Sequence, residues 1–329
     1  MLVLNAEDVR RALPMGEAIE AMRRAFAALS DGRAEVPLRA HLPVARHDGI
    51  SLVMPALVAD DRGEALAVKV VSLFEGNRSR GLARIQAAVL ALDAQTGRPI
   101  ALLEGAALTA IRTGAASGAA TDLLARPDCR TAAIFGAGVQ ARTQLEAICT
   151  VRALQTVWVY DPLSTAAEVF VSELAGRAPI PADVRAAEAP QQAVADADII
   201  CTATTSRVPV FSDAGLKPGV HVNAVGSYQP GVQEIPAETV ARALVVVDSR
   251  DAALAETGDL IQPIRQGRIG PEHVHAELGE LILGRKPGRA SGEQITLFKS
   301  VGVAVQDAVA AQSALTRAEQ LGLGRRVNW

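Results

Sequence analysis

Two hydrophobic patterns divide this chain. From about Arg130 onward, short unbroken apolar runs alternate with helical stretches. Thr131-Ala-Ala-Ile-Phe135 passes through Gly136-Ala-Gly into an amphipathic segment that ends near Val151. Thr156-Val-Trp-Val-Tyr160 passes through Asp161-Pro into a second helical segment, 164–175. The runs 197–202, 221–225 and 243–247 are apolar again, and each ends at small or polar residues. Buried parallel strands read as continuous apolar runs, and strand–helix alternation implies right-handed βαβ units. This pattern predicts a doubly wound α/β domain over 120–304.

The first ~115 residues are patterned differently. A helix is predicted over 8–29, followed by strands at Ser51-Leu-Val-Met54, 65–73 and 85–93. Thr96-Gly97 marks a hairpin turn before another strand at 99–103. Successive strands joined by short turns predict an α+β domain with a largely antiparallel sheet. The last helix, predicted over 301–321, is expected to pack back on this first domain.

Composition narrows the function classes. Aromatic residues are only 3% while Ala, Val, Leu and Gly abound, which suits helix-on-sheet packing better than a β-sandwich. A length of 329 residues allows two domains, each with its own core. The 33 basic and 36 acidic side chains are too balanced for a dedicated nucleic-acid binder. No apolar stretch approaches the ~18 residues that would span a bilayer. The opening residues lack the basic-then-apolar pattern of a secretory signal, so a cytoplasmic location is expected. Cys129, Cys149 and Cys201 are dispersed and odd in number, which fits neither a disulfide framework nor a zinc knuckle. His273-Val-His275 with Glu277 and Glu280 has no third ligand at zinc spacing, so no metal is expected. His41 and His47 flank Arg39 without pointing to a role, and Glu256-Thr-Gly-Asp259 reads as an acidic loop or a helix start.

The sharpest chemical signal is Phe135-Gly136-Ala-Gly138-Val139-Gln140-Ala141, which follows a predicted strand and opens a predicted helix. Gly136 permits the tight turn, and Gly138 lets the backbone approach a pyrophosphate on the helix N-terminus. Ala141 stands in for the third glycine. Asp161, at the end of the next strand, is placed to accept hydrogen bonds from ribose hydroxyls and to repel a 2′-phosphate, which favours NAD over NADP. An S-adenosylmethionine-dependent transferase uses the same geometry and is the rival at this point.

Before this loop lie Arg39, Lys69, a basic loop Asn77-Arg-Ser-Arg-Gly-Leu-Ala-Arg84, and Thr109-Ala-Ile-Arg112-Thr113-Gly. Lys69 interrupts the apolar run Ala67-Val-Lys-Val-Val-Ser72. It either points to the solvated face of a strand or binds a ligand carboxylate with a lowered pKa. Arg112 precedes the small-residue run Thr113-Gly-Ala-Ala-Ser-Gly-Ala-Ala120. A helix N-terminus at that point would suit a phosphate or carboxylate, and a surface ion pair is the plainer alternative.

Leu108-Thr-Ala-Ile-Arg-Thr-Gly-Ala-Ala-Ser117, Gly136-Ala-Gly-Val-Gln-Ala141, Asn223-Ala-Val-Gly-Ser227 and Thr296-Leu-Phe-Lys-Ser-Val-Gly302 together resemble the ornithine cyclodeaminase/mu-crystallin family. The matches are in order and span nearly the whole chain. The resemblance implies a Rossmann NAD-binding domain (120–304) and a substrate-binding and dimerisation domain (1–119 with 305–329) in a homodimer. It implies NAD(H)-linked chemistry at the Cα–N bond of an amino acid. By residue match, Arg39, Lys69 and Arg112 would hold the substrate carboxylate. Arg112, Thr113, Gly136, Gly138, Val139, Gln140, Asp161, Thr202 and the segment Val222, Asn223, Ala224, Val225 would line the cofactor, with Ser300 near the nicotinamide.

The departures are as informative. Cyclodeaminases of this family carry an Asp where Gly226-Ser-Tyr228-Gln-Pro-Gly-Val232 has Tyr228, a Lys where it has Val232, and a Glu where Leu52 stands. A phenol, which ordinarily ionises near pH ~10, does not replace a carboxylate base at neutral pH. Ornithine cyclodeamination is therefore disfavoured. Reduction of an imine demands less, because a protonated iminium is already electrophilic. In that reading Lys69 and Tyr228 are the catalytic candidates: Lys69 keeps or returns the imine proton, and Tyr228 hydrogen-bonds the nitrogen or a water. Arg84 stands where relatives more often have Thr, and it is expected to bind a second substrate carboxylate, to contact the cofactor, or to be solvated. The expectation is an NAD(H)-dependent reductase of an α-imino acid, cyclic or acyclic. Ornithine cyclodeaminase and a non-catalytic NAD(P)H-binding protein of mu-crystallin type are the alternatives.

Overall fold

A computed structural model describes the backbone of residues 1–329 and every side chain except that of Arg78, which leaves this member of the basic loop outside the described residues. The chain opens with β1 (Leu2–Leu4), α1 (Ala6–Ala12), α2 (Met15–Ser30), β2 (Ala34–Glu35), β3 (Ala40–Val44), β4 (Gly49–Asp60) and β5 (Gly63–Phe74). Next come β6 (Ile85–Leu92), β7 (Pro99–Glu104) and α3 (Gly105–Leu124). The α/β alternation follows: β8 (Thr131–Phe135), α4 (Val139–Val151), β9 (Thr156–Tyr160), α5 (Ser164–Leu174), β10 (Asp183–Ala186), α6 (Pro190–Val194), β11 (Ile199–Thr202) and β12 (His221–Ala224). It continues with α7 (Ala237–Arg242), β13 (Leu244–Val247), α8 (Arg250–Glu256), α9 (Gly258–Arg265), β14 (Val274–Glu277), α10 (Leu278–Ile282) and β15 (Thr296–Lys299), before α11 (Ala304–Leu321) and β16 (Arg325–Arg326).

Two compact units emerge: residues 1–112 with 303–329, and residues 113–302. Helix α3 belongs to both, with its first eight residues in the former.

The first unit is built on a sheet in the order β16-β1-β7-β6-β5-β4-β2, with β3 also paired to β4. The long hairpin β4–β5 and the pairs β5–β6 and β6–β7 are antiparallel, while β1 lies parallel to β7. Successive side chains of a strand point to opposite faces. Met54, Ala56 and Val58 of β4 and Ala65, Ala67 and Val71 of β5 are accordingly buried, and α2 and α11 cover that face. Lys69 shares the parity of this buried face. The hairpin at 93–98 turns on Asp93, whose Oδ1 accepts from the Gln95 and Thr96 amides, with Gly97 at a φ of 72°.

The helix predicted over 8–29 is two helices, α1 and α2. Proline at position 14 has no N–H to continue the first and disfavours helical backbone in the residue before it, so Leu13 turns out to φ −132°, ψ 72°. The final helix begins at Ala304, three residues later than predicted, and packs on α2, β4 and β5.

The second unit is a doubly wound sheet in the order β10-β9-β8-β11-β12-β15-β13-β14, with every pairing parallel. Alternate residues feed two cores. Ala133, Phe135, Ile200 and Val222 face one, and Ala132, Ile134, Ile199 and Cys201 the other. The sequence missed three of its strands, β10, β14 and β15. β10 and β14 are the two edges of the sheet and carry polar residues at alternate positions (Asp183 and Arg185, His275 and Glu277), while β15 is fully buried within it. Among the described residues no helix is long and apolar enough to cross a membrane.

Candidate active site

In the first unit, three charged side chains meet where solvent does not reach. Lys69 on β5 pairs in register with Met54 on one side and Val89 on the other, and its side chain is 2% exposed. Its Nζ lies 2.6 Å from Asp307 Oδ2 on α11. Arg112, on α3, donates from Nε to Asp307 Oδ1 at 3.1 Å and from its terminal nitrogen to Gln306 Oε1 at 2.9 Å. Lys69 is therefore on the buried face of its strand. Burial lowers its pKa to about 8; Arg112 and Arg39 push in the same direction, while Asp307 opposes them. Burial alone would raise the Asp307 carboxyl, but Arg112 and Lys69 hold it below the usual carboxylate range. Arg39, just before β3, is half-buried and close enough for its charge to act on Lys69. Three cations and one carboxylate leave a surplus of positive charge that matches a ligand carboxylate.

The helix N-terminus expected at Thr113 does not exist. Arg112 and Thr113 sit in mid-helix, because nothing in Leu108-Thr-Ala-Ile-Arg-Thr-Gly-Ala-Ala interrupts α3, which starts at Gly105. The Glu104 carboxylate caps that start by accepting from the Ala106 and Ala107 amides. Arg112 thus acts through its guanidinium, while Thr113, nearly buried, accepts at its carbonyl from Gln144 Nε2 at 3.2 Å.

Arg84 lies elsewhere. Its main chain pairs with Phe74, five residue pairs along the ladder from Lys69–Val89, or about 16 Å of strand. Its Nε bonds Glu75 Oε1 at 2.8 Å and Oε2 at 2.9 Å.

In the second unit, β8 runs into the glycine loop and α4. Gly136 has a φ of 95°, and a Cβ there would stand 2.7 Å from the Ala203 carbonyl oxygen. A Cβ on Gly138 would meet nothing within 4 Å. No side chain caps α4, whose amides begin at Val139, and Gln140 Oε1 is buried without a hydrogen-bond partner among the described residues. Asp161, at the end of β9, accepts from the Ala137 amide at 3.0 Å and the Leu163 amide at 2.9 Å. Each oxygen retains a lone pair for a ribose hydroxyl. Open space beside a glycine, uncapped amides and an anchored carboxylate fit a dinucleotide.

The other cofactor candidates gather at the C-terminal ends of β11, β12 and β15, the edge at which open α/β sheets bind ligands. The Thr202 hydroxyl donates to Glu234 at 3.1 Å. Val222, Asn223 and Ala224 are wholly buried, and the Asn223 amide is turned inward to Thr121 and Cys201. The Val225 amide donates to the Thr202 carbonyl and the Ser300 amide to the Ala224 carbonyl. The Ser300 hydroxyl and the Val301 and Gly302 amides all converge on Asp248 Oδ2, at 2.8, 2.9 and 2.7 Å. Tyr228 is 38% exposed.

Residue reasoning missed Asp307, Asp248 and Glu234; Asp259, read as part of an acidic loop or a helix start, lies in the first turn of α9. A signal was available, since each is an acid within or beside an apolar run, as in Val303-Ala-Val-Gln-Asp307-Ala-Val. Buried acids need partners, and here Asp307 pairs with Lys69 and Arg112, Glu234 with Thr202, and Asp248 with Ser300, all of them candidate residues. His273 and His275 each use Nε2 on a main-chain carbonyl, of Val240 and Pro287. Burial pushes the Cys149 and Cys201 thiols up to about 12, which leaves both as unreactive core residues.

Residues 1–321 match the model of the ornithine cyclodeaminase/mu-crystallin family. The chain belongs to that family. Within it, the chain is 43% identical over 330 residues to a Delta(1)-pyrroline-2-carboxylate reductase of Bacillus cereus, covering all of both chains. It is 44% identical to the solved Delta(1)-pyrroline-2-carboxylate reductase of Thermococcus litoralis in complex with NADH and L-proline, with a TM-score of 0.94 over 99% of this chain and 100% of that one. An archaeal alanine dehydrogenase dimer with bound NAD superposes with a TM-score of 0.92 at 33% identity, over 100% and 99% of the two chains. The family's Rossmann-like parallel sheet is the sheet described above.

Proposed function

We propose that this protein is an NADH-dependent imino-acid reductase that converts Δ1-pyrroline-2-carboxylate into L-proline. The observation that carries this reading is the buried Lys69–Asp307–Arg112 cluster, a carboxylate-binding patch in a chain that also holds a dinucleotide loop. The names of its relatives support both the reaction and the substrate.

Arg112 and Arg39 hold the substrate carboxylate and so fix the imine carbon. Bound NADH supplies the hydride that this carbon accepts. Lys69, with a pKa of about 8, is mostly protonated at neutral pH, so it donates to the imine nitrogen the one proton that makes the carbon electrophilic and that the amine then retains. One proton and one hydride are consumed per imine. Asp161 takes the adenosine ribose hydroxyls and repels a 2′-phosphate. Tyr228, where an acid would handle the second amino group of ornithine, hydrogen-bonds the nitrogen or a water.

The protein acts as a homodimer in this reading. Val53 and Val70, cross-strand partners, are 37% and 43% exposed on the outer face of the first unit's sheet, and Leu42 is exposed beside them. Such an apolar face suits a second copy.

The test is NADH consumption against pyrroline-2-carboxylate, piperideine-2-carboxylate, and pyruvate, glyoxylate or oxaloacetate with ammonium, beside ornithine with NAD. Fast turnover of pyrroline-2-carboxylate is expected. Ammonia release from ornithine without net NADH change would overturn the reading.

A further inference from the structure

A second buried cluster lies at the C-terminal edge of the parallel sheet, and the chemistry described so far leaves it unused. The Glu234 carboxylate is fully buried and receives five hydrogen bonds. Oε1 accepts from the Thr204 amide at 2.8 Å and its hydroxyl at 2.6 Å; Oε2 accepts from the Thr202 hydroxyl at 3.1 Å and the Gly226 and Ser227 amides at 2.8 and 3.1 Å. One side chain thus ties together the segments leaving β11 and β12. A Cβ on Gly226 would stand 2.4 Å from both oxygens, so only glycine admits this approach. Glu234 is itself anchored: its amide and that of Ile235 donate to Asp259 Oδ1 at 2.7 and 3.0 Å, and Asp259 Oδ2 accepts from Lys299 Nζ at 2.9 Å. Lys299 and Asp259 have no exposed side-chain surface.

The charges do not cancel. Two carboxylates and one ammonium leave one negative charge in a desolvated place. Burial and Asp259 raise the Glu234 carboxyl above its ordinary value, and Lys299 and the hydrogen bonds from Thr204 only partly offset them. Three of its five donors are main-chain amides, which only donate, so the hydrogen-bond geometry favours the carboxylate over the neutral acid.

The sheet order places this charge relative to a dinucleotide. With the adenosine ribose at Asp161 on β9 and the pyrophosphate at the end of β8, the other half of the molecule extends over β11, β12 and β15. Those are the strand ends that Glu234, Asp259 and Lys299 underlie. The nicotinamide ring is cationic when oxidised and neutral when reduced.

We infer that Glu234 is a positioning residue that pins both loops and, through its uncompensated charge, makes the protein favour NAD+ relative to NADH. The inference rests on the reading of residues 113–302 as the NAD(H)-binding unit.

The test is binding: NADH titrated by its fluorescence, and NAD+ by competition, for the wild type, Glu234→Gln and Glu234→Asp. Glu234→Gln is expected to weaken NAD+ relative to NADH by roughly tenfold, the order of one lost charge–charge attraction in a partly desolvated site. Glu234→Asp keeps the charge and should keep the wild-type ratio. If Glu234→Gln does not fold, Asp259→Asn removes the same net charge from the other side of the cluster and should move the ratio in the same direction. Equal weakening of both nucleotides, or an unchanged ratio, would overturn the inference. Failure of the wild type to bind either nucleotide would instead sink the reading on which it rests.

Discussion

Lys69 Nζ and Asp307 Oδ2 stand 2.6 Å apart in an almost wholly buried pair, joining a strand of the first sheet to the chain's last helix. Around Lys69 the charged groups are Asp307 from α11, Arg112 from α3 and Arg39 before β3, while its strand neighbours Met54 and Val89 are apolar. The ammonium form is lost as pH rises through about 8. Asp307 raises this pKa, so Asp307→Asn removes the only opposing influence among the named charges. The fall in kcat/KM on the alkaline side should then move to lower pH, by about one unit or more. The variant should also be destabilised by roughly 3–5 kcal/mol, since it leaves buried cations unpaired. A pH–rate profile with an unmoved alkaline limb would show that Asp307 does not tune Lys69.

Lys69→Ala should lower kcat for imine reduction by about 10²–10⁴-fold, the usual contribution of a positioned general acid. NADH affinity should hardly change, because Lys69 lies outside the dinucleotide loop. Steady-state kinetics with direct NADH titration separate the two effects, and wild-type turnover would remove Lys69 from the mechanism.

In the proposed reading Asp161 sets the choice between cofactors, by accepting from ribose and repelling a 2′-phosphate. Asp161→Ser should lower kcat/KM with NADH far more than with NADPH, narrowing the preference by at least about tenfold. The same change removes the acceptor of the Ala137 amide, so some loss with both cofactors is expected. Equal losses with the two would place the discrimination elsewhere.

Arg84 is tied to Glu75 and lies about 16 Å of strand from the carboxylate cluster. Arg84→Thr should therefore change kcat/KM for pyrroline-2-carboxylate by less than about threefold, within the range of a surface change. Iminosuccinate, generated from oxaloacetate and ammonium, should be a poor substrate of the wild type. A strong preference for that dicarboxylate, abolished by Arg84→Thr, would bring this residue back to the substrate.

Tyr228 follows the glycine–serine pair that Glu234 holds. Tyr228→Phe should lower kcat several-fold with little change in NADH binding, as loss of one hydrogen bond at the reacting nitrogen would. Kinetics identical to the wild type would make the phenol structural.

Much of this protein is legible in its linear pattern. Thr131–Phe135, Gly136, Gly138 and Asp161 identify the dinucleotide unit because strand, tight turn, helix and acid are all local features with short spacing. The doubly wound class follows from unbroken apolar runs alternating with helices, and the absence of an acid at Tyr228 is written in the sequence itself. What the chain order hides is long-range partnership. Nothing near Lys69 announces that its counter-charge comes from Asp307, because buried charges choose partners by the fold of the backbone. The same holds for Glu234, whose five donors come from two separate strand ends, and for Arg112, whose place in mid-helix depends on where α3 begins. Local pattern decided which elements form; packing decided which ionised groups meet, since a charge taken out of water is stable only where the fold brings it a partner.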